Sequence, residues 1–141
     1  MDSNRSGGRE AAPGRGLSIL LVEDEASIRS LAREFLVREG HRVAEAGGVR
    51  EARTALASGA FDVLLVDLTL PDGDGGAFAV EAAAGRPGLR CVLMSGGPST
   101  RSPGDGGFRF LAKPYRSADL LGILGQDLPE AVVPRPGLEP G

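Results

Sequence analysis

The chain has 141 residues, of which 41% are hydrophobic and only 4% aromatic, and its formal net charge is −3. This length suffices for one domain with an aliphatic core, and the mild charge does not indicate a nucleic-acid-binding surface. No run approaches the ~20 apolar residues of a membrane span, and the start lacks the apolar segment of a signal peptide. The single Cys91 excludes an internal disulfide and suits a reducing compartment. We therefore expect a cytoplasmic protein without a membrane span.

The two ends of the chain differ in composition from the middle. Residues 1–16 contain Gly, Arg, Ser and Pro with almost nothing to bury, so we expect disorder there. Residues 129–141 are proline-rich and are expected to form a flexible tail. The folded domain is predicted to span residues 17–128.

The first half of this domain contains two predicted strands and two predicted helices. Residues 17–22 (LSILLV) are almost wholly apolar, as in a strand buried on both faces of a parallel sheet. Residues 26–40 follow, with apolar positions at helical spacing and a glycine at the end. The half-polar run at 41–46 predicts an edge strand, and residues 49–59 predict a second helix that also ends on glycine.

The second half adds three predicted strands and two predicted helices. Residues 61–67 (FDVLLVD) and 91–95 (CVLMS) predict buried strands, separated by a short helix at 77–84. Residues 108–113 (FRFLAK) predict a fifth strand, and residues 117–124 predict a final helix with its first serine as the N-cap. Such alternation is typical of an α/β fold built on a five-stranded parallel sheet.

Charged and polar residues lie at, or directly after, the carboxyl ends of four of the predicted strands. They are Glu23, Asp24, Asp67, Ser95 and Lys113. Functional groups of open parallel sheets gather beyond the carboxyl ends of the strands. We therefore expect three carboxylates, a hydroxyl and an ammonium group to meet at one edge of the sheet.

This constellation resembles the receiver domain of two-component response regulators. The resemblance covers about residues 17–124, and it rests on the stretches LLVEDE, DVLLVDLTLPDGDG, VLMSG and FLAKPY, in this order. It implies a three-layer, doubly wound, flavodoxin-like fold with strand order 2-1-3-4-5 and helices on both faces of the sheet.

The resemblance also implies a role for each residue at this edge. Asp67 would accept a phosphoryl group from a phosphohistidine of a histidine kinase or phosphotransfer protein. Lys113 and Ser95 would bind the transferred oxygens. Phe110, three residues before Lys113, would be the aromatic residue that switches packing when the domain is phosphorylated. The chain would then be a phosphoacceptor rather than an enzyme acting on a separate substrate.

A shared cation would relieve the repulsion among three neighbouring carboxylates. Mg²⁺ is a hard ion that suits carboxylates, waters and a phosphate oxygen. The resemblance implies that Glu23, Asp24 and Asp67 hold it, together with the backbone carbonyl of Thr69.

The segment between the fourth and fifth predicted strands differs from the receiver pattern. It is short and rich in glycine and proline, which are poor helix formers. We therefore predict that the fourth helix is missing or reduced to a turn, which puts the usual output surface in doubt. No output domain follows in this sequence, so direct DNA binding is not expected and the downstream partner stays open. A stand-alone regulator, a phosphate sink or relay, and a receiver from a hybrid kinase are the alternatives.

The main alternative function is a degenerate receiver that binds partners without being phosphorylated. A phosphatase of the haloacid dehalogenase type, or a nuclease of the topoisomerase-primase type, would need an acid where Thr69 stands. A calcium loop beginning at Asp72 would need suitable ligands where Gly76 and Ala83 stand. A flavin or cobalamin site fits poorly, because no glycine-rich cradle follows the first strand and the single His41 follows the wrong element.

Two further residues have structural interpretations. His41 has no second histidine or cysteine near it in the sequence, so a surface or capping role is expected. Cys91 opens a buried strand and is expected to be an inert core thiol.

Overall fold

A computed structural model describes residues 16–96 and 108–125 of the chain. The predicted disordered start, apart from Gly16, lies outside the described residues, as do the proline-rich tail and nearly all of the segment in which a reduced fourth helix is expected. These expectations stay predictions.

Strands and helices alternate along the described residues. The main sheet has five strands: β1 (Ser18–Val22), β2 (Arg42–Ala46), β3 (Val63–Asp67), β4 (Arg90–Ser95) and β5 (Arg109–Ala112). The helices are α1 (Ala26–Arg38), α2 (Val49–Ser58), α3 (Gly75–Ala84) and α4 (Ser117–Gly125). A short antiparallel pair, Thr69–Leu70 with Gly73–Asp74, follows β3 and is not predicted by the sequence pattern.

The strands lie in the order β2-β1-β3-β4-β5, and every neighbouring pair is parallel. This confirms the predicted α/β fold, its strand order and the edge position of β2. The order reverses at β1, which lies between β2 and β3. Because Val22 pairs with Val66, the residues that follow them, Glu23 and Asp67, lie side by side at the carboxyl ends of β1 and β3.

Both faces of the sheet are covered, which gives the predicted three layers. Leu20 and Leu64 point to the layer that contains α2 and α3, whereas Ile19 and Leu21 point to the layer that contains α1 and α4. The apolar stripe of α1 is wider than its buried face, because Leu31 is 68% exposed. None of the helices in the described part of the chain is long and apolar enough to cross a bilayer.

Element boundaries differ from the predicted ones where local hydrogen bonds decide them. Helix α3 begins two residues early, at Gly75, because the Asp74 carboxylate accepts hydrogen bonds from the backbone at the start of the helix. Ser117 is the first residue of α4 rather than its cap, so that prediction is wrong. The Arg116 N–H instead donates to the Asp119 carboxylate at 2.9 Å.

Helix α2 is capped from another part of the chain. Gly48 occupies its N-cap position and offers no side chain, but Asp72, in the turn after β3, reaches the first turn of the helix. Its Oδ1 accepts from the Val49 N–H at 2.8 Å, and its Oδ2 accepts from the Arg50 N–H at 3.0 Å. The hydrogen bond from the Arg50 N–H, followed by that from the Val49 N–H, lowers the pKa of Asp72. Asp72 therefore ties the segment that follows Asp67 to the start of α2.

The substitution Asp72→Ala is expected to lower Tm by several degrees, because it leaves two N–H groups of α2 without an acceptor. Asp72→Asn keeps one acceptor oxygen and should lose less. Since the folded pKa is lowered, the carboxylate contributes above its unfolded pKa, and its contribution disappears as pH falls through the folded pKa. Thermal unfolding of the three proteins at pH 7 and pH 3 tests this, and equal Tm values at pH 7 would contradict it.

His41 is buried rather than on the surface, at 4% exposure. Its Nδ1 accepts a hydrogen bond from the Leu17 N–H at 3.1 Å, so the neutral ring joins the start of β1 to the start of β2. Burial lowers the pKa of His41, and the nearby Glu39 carboxylate offsets this only in part. Cys91 is buried as expected, and burial raises the pKa of its thiol to about 12.

The free energy of unfolding is expected to decrease as pH falls below the ordinary histidine pKa of 6.5. The unfolded chain binds a proton there before the folded protein does, and the decrease ends once pH has passed the lowered folded pKa. The slope for one proton is at most about 1.4 kcal/mol per pH unit. Urea unfolding between pH 7.5 and 5 measures it, and His41→Gln should remove this component, since His41 is the only histidine. A slope that His41→Gln leaves unchanged would contradict the assignment.

Candidate functional site

Three carboxylates meet at the carboxyl ends of β1 and β3. One oxygen from each of Glu23, Asp24 and Asp67 lies within 4.8 Å of the others. Glu23 and Asp67 are buried, at 1% and 5% exposure, while Asp24 is exposed to solvent. The structure thus brings together the three acids that the sequence placed at this edge.

Lys113 lies one residue beyond β5 and reaches across the sheet edge to two of these acids. Its Nζ donates to Glu23 Oε1 and to Asp67 Oδ2, both at 2.7 Å. Burial alone would lower the pKa of Lys113, but the hydrogen bonds to Asp67 and Glu23 outweigh burial, so the pKa is raised. The Lys113 N–H donates to the Ser95 carbonyl at 2.8 Å, and the Lys113–Pro114 peptide is cis.

Backbone N–H groups hold the other oxygens of the same two acids. Glu23 Oε2 accepts from the Glu25 N–H at 3.0 Å, and Asp67 Oδ1 accepts from the Thr69 N–H at 3.0 Å. Every carboxylate oxygen of Glu23 and Asp67 therefore has a donor. This fixes the orientation of both side chains.

The remaining predicted site residues lie on neighbouring elements of the fold. Ser95 ends β4, next to Ala112 of β5, and its side chain is half-buried. Thr69 is placed by the hydrogen bond from its N–H to Asp67. Phe110 is half-buried and packs on the layer of α2 and α3. Metal binding by the Thr69 carbonyl and switching by Phe110 stay predictions.

Gly75 is a site residue that the sequence reasoning missed. Its N–H donates to the Leu68 carbonyl at 2.9 Å, and a Cβ at this position would overlap the Asp67 carbonyl oxygen. The paired glycines of DGDGG, shortly after β3, are the sequence signal that points to such close backbone contact.

The donor set at this edge fits a hard cation. The three clustered groups are all carboxylates, with no nitrogen or sulfur ligand among them, which suits Mg²⁺ better than zinc or copper. Two of the three carboxylates are buried and already oriented, so cation binding would cost little side-chain conformational entropy.

Comparison with known proteins identifies the family. The model of the response regulator receiver domain family matches residues 19–124. The DNA-binding transcriptional regulator NtrC of Azospirillum brasilense is 27% identical over 125 residues, which cover 83% of this chain and 26% of that protein. The transcriptional regulatory protein TcrA of Mycobacterium tuberculosis is 30% identical over 140 residues, which cover 96% of this chain and 55% of that protein. The chain spans about a quarter and about half of these relatives, so the expected lack of an output domain and of DNA binding stays a prediction.

The fold matches solved structures as well. A crystal structure of a CheY-like response regulator receiver domain protein from Methanospirillum hungatei JF-1 aligns with a TM-score of 0.74 and 27% identity, and it covers 80% of this chain and 94% of that one. The family match covers most of the chain, and the strand order agrees with the order that the resemblance implied. The chain belongs to the response regulator receiver domain family.

Proposed function

We propose that this domain accepts a phosphoryl group on Asp67 from a phosphohistidine of a histidine kinase or phosphotransfer protein. The observation that carries the proposal is the cluster of Glu23, Asp24 and Asp67, with Lys113 donating to Asp67 at 2.7 Å. A buried carboxylate with a cation at its side, at the switch point of a parallel sheet, is well placed to attack phosphorus.

The transfer step is a displacement at phosphorus. An Asp67 carboxylate oxygen uses a lone pair to form the new P–O bond, while the P–N bond to the donor imidazole breaks. The imidazole nitrogen leaves with the electron pair and takes up a proton, and an acyl phosphate remains on Asp67. The Lys113 ammonium then neutralises a phosphoryl oxygen in place of Asp67 Oδ2. The Ser95 hydroxyl is the proposed hydrogen-bond donor to a second phosphoryl oxygen.

Glu23, Asp24 and Asp67 are the residues that would hold Mg²⁺, with the Thr69 carbonyl as a further oxygen ligand. When bound, the ion would supply positive charge to the carboxylate cluster and to the transferred oxygens. The protein would catalyse only its own modification. A cytoplasmic location would suit contact with a kinase.

Intact-mass spectrometry after incubation with acetyl phosphate and Mg²⁺ tests the proposal. The wild-type chain is expected to gain a single HPO₃ group when Mg²⁺ is present and none when the metal is chelated. Asp67→Asn should gain none. Asp62→Asn is the matched control, because Asp62 lies at the opposite end of the same strand, where it accepts a hydrogen bond from the Ser18 N–H at 2.8 Å that Asn can also accept.

No adduct on the wild-type chain, together with no binding of beryllofluoride, would contradict the proposal. The domain would then be a degenerate receiver that acts through binding alone. An adduct that persists in Asp67→Asn would place the acceptor at another residue.

A further inference from the structure

The short segment between β1 and α1 carries two of the three clustered acids, Glu23 and Asp24. Glu25 occupies the N-cap position of α1 and makes no side-chain capping hydrogen bond. Glu23 is buried, whereas Asp24 is exposed to solvent, so packing does not fix the Asp24 side chain. The direction of the Asp24 carboxylate therefore depends on the backbone that carries it, which begins at the Glu23–Asp24 peptide group.

One side chain of α1 holds that peptide group. Arg29, the fourth residue of the helix, donates from Nη1 to the Glu23 carbonyl oxygen at 2.7 Å. Side chains of a helix point back toward its N-terminus, which brings the guanidinium to the end of β1. The distance is at the short end of the range for hydrogen bonds from a charged donor, so the contact is a strong one.

Arg29 is itself fixed by the edge strand β2. Its Nε donates to Glu45 Oε1 at 3.1 Å, and its side chain is only 23% exposed. The planar guanidinium makes both bonds in one rigid geometry. The residue after Glu45, Ala46, accepts from the Glu23 N–H at 3.0 Å. Strand β2 thus holds both ends of the Glu23 backbone, the N–H directly and the carbonyl through Glu45 and Arg29.

The charge of Arg29 is placed unfavourably for any purely electrostatic role. A cation near the start of a helix opposes the helix dipole. Its positive charge would also repel a second cation bound by the neighbouring acids. A side chain that acted through its charge alone would therefore weaken cation binding, whereas one that orients the acids would strengthen it.

We propose that Arg29 is a positioning residue of the cation site: by holding the Glu23 carbonyl, it fixes the peptide group that aims the Asp24 carboxylate at Mg²⁺. The inference rests on the proposed Mg²⁺-dependent function of the acid cluster. Hydrogen-bonding groups behind the ligands of a metal site typically contribute roughly 10- to 100-fold to metal affinity. Arg29 is such a group, and it acts through the backbone rather than through a carboxylate oxygen.

The substitution Arg29→Gln tests the proposal. The glutamine amide nitrogen occupies the same place along the side chain as Nε of arginine, so the contact with Glu45 can persist while the donor to the Glu23 carbonyl is lost. Removal of the positive charge would by itself tighten Mg²⁺ binding. We nevertheless expect the Kd for Mg²⁺, measured by isothermal titration calorimetry without a phosphoryl donor, to rise by roughly 10-fold.

Arg33→Gln is the matched control. Arg33 lies about one turn further along α1, and its Nε contacts the other oxygen of the same carboxylate, Glu45 Oε2, at 3.1 Å. Of the two arginines, Arg29 is the one that donates to the Glu23 carbonyl. Arg33→Gln removes the same charge from the same helix and the same partner, so its Kd for Mg²⁺ should stay at or below the wild-type value.

Phosphorylation by acetyl phosphate should show the same separation. In Arg29→Gln we expect the Mg²⁺ concentration for half-maximal phosphorylation, followed by intact mass, to rise with the Kd, while the rate at saturating Mg²⁺ stays near that of the wild-type chain. Urea midpoints with and without Mg²⁺ show whether a loss of folding contributes. Their difference also reports Mg²⁺ binding to the folded protein if the variant is less stable.

The outcomes separate the two proposals. An unchanged Kd for Mg²⁺ in Arg29→Gln, or an equal rise in Arg33→Gln, overturns the role of Arg29 and leaves the phosphoacceptor proposal intact. A wild-type chain that neither binds Mg²⁺ nor gains a phosphoryl group overturns the proposed function itself.

Discussion

Replacing Lys113 with methionine is expected to reduce the free energy of unfolding by about 3 kcal/mol at pH 7, the lower end of the range for breaking a buried ion pair. The ammonium contacts Glu23 and Asp67 at 2.7 Å each, and both acids are almost fully buried. Methionine fills a similar volume but leaves two buried carboxylates facing each other without a cation. Equilibrium urea unfolding measures the loss.

A second cation should offset part of this loss. Added Mg²⁺ is expected to raise the urea midpoint of Lys113→Met more than that of the wild-type protein, because in the variant it neutralises carboxylates that no ammonium neutralises. Lys113→Met should also be phosphorylated poorly, since it lacks the side chain proposed to bind the phosphoryl oxygens.

A matched control comes from an exposed ion pair. Arg33 contacts Glu45 at 3.1 Å, with both side chains well exposed, so Arg33→Met should lower the free energy of unfolding by less than about 1 kcal/mol.

The contribution of Lys113 to stability depends on pH. Because the folded pKa of Lys113 is raised above the ordinary 10.5, its contribution is present in full below that pH and is lost as pH rises through the folded pKa. Equal midpoints for wild type and Lys113→Met at pH 7 would mean that the pair contributes nothing to folding.

The position of the acid cluster could be predicted from the sequence because it follows from strand register. Apolar runs identified β1 and β3, and each carries an acid directly past its last apolar residue. In a parallel sheet such residues emerge at the same edge, so Glu23 and Asp67 had to be neighbours once the two strands paired. The apolar runs locate the two strands, and their parallel pairing then places the two acids next to each other.

Contacts between segments that are distant in the chain could not be predicted in this way. The cap that Asp72 provides to α2 depends on how a turn packs against a helix more than twenty residues earlier. The buried state of His41 depends on the end of α1 and the start of β1 meeting around one ring. Neither leaves a periodic pattern, because each rests on a single side chain meeting the backbone of another element.

The Tyr115 hydroxyl and the Gly75 backbone were missed for a related reason. Sequence patterns classify an aromatic residue as core and a glycine as a turn residue, whereas Gly75 is the buried first residue of α3. What distinguishes each residue is a single atom: a buried hydroxyl oxygen with no hydrogen-bond partner among the described residues in one case, and the absence of a Cβ in the other. Patterns of hydrophobicity do not contain information at that scale.

The substitution Gly75→Ala is expected to be among the most damaging single changes in the domain. The added Cβ would overlap the Asp67 carbonyl oxygen and lie 3.1 Å from the Leu68 Cα, and both are backbone atoms that cannot rotate away. The chain must therefore shift where β3 ends and α3 begins. We expect the free energy of unfolding to fall by about 3 kcal/mol, in the upper range for overpacking. This outweighs the ~1 kcal/mol by which alanine is favoured over glycine in a helix.

The same shift moves the peptide group that carries the Asp67 side chain. The rate of phosphorylation should therefore fall even without urea, where the variant is still folded. The reason is that Asp67 would lose its alignment with Lys113 and with the Thr69 N–H. Urea unfolding and the intact-mass assay on the same samples separate the two effects.

Gly85→Ala is the control for the chemistry of the substitution. Gly85 is the C-cap of the same helix, with φ of −94°, and a Cβ there meets nothing within 4 Å. Its replacement should leave stability unchanged or raise it slightly, since alanine restricts the unfolded chain. If Gly75→Ala proved as stable and as readily phosphorylated as Gly85→Ala, the backbone of α3 would have to be free to move away from Asp67. The rigid support of β3 inferred from this contact would then be wrong.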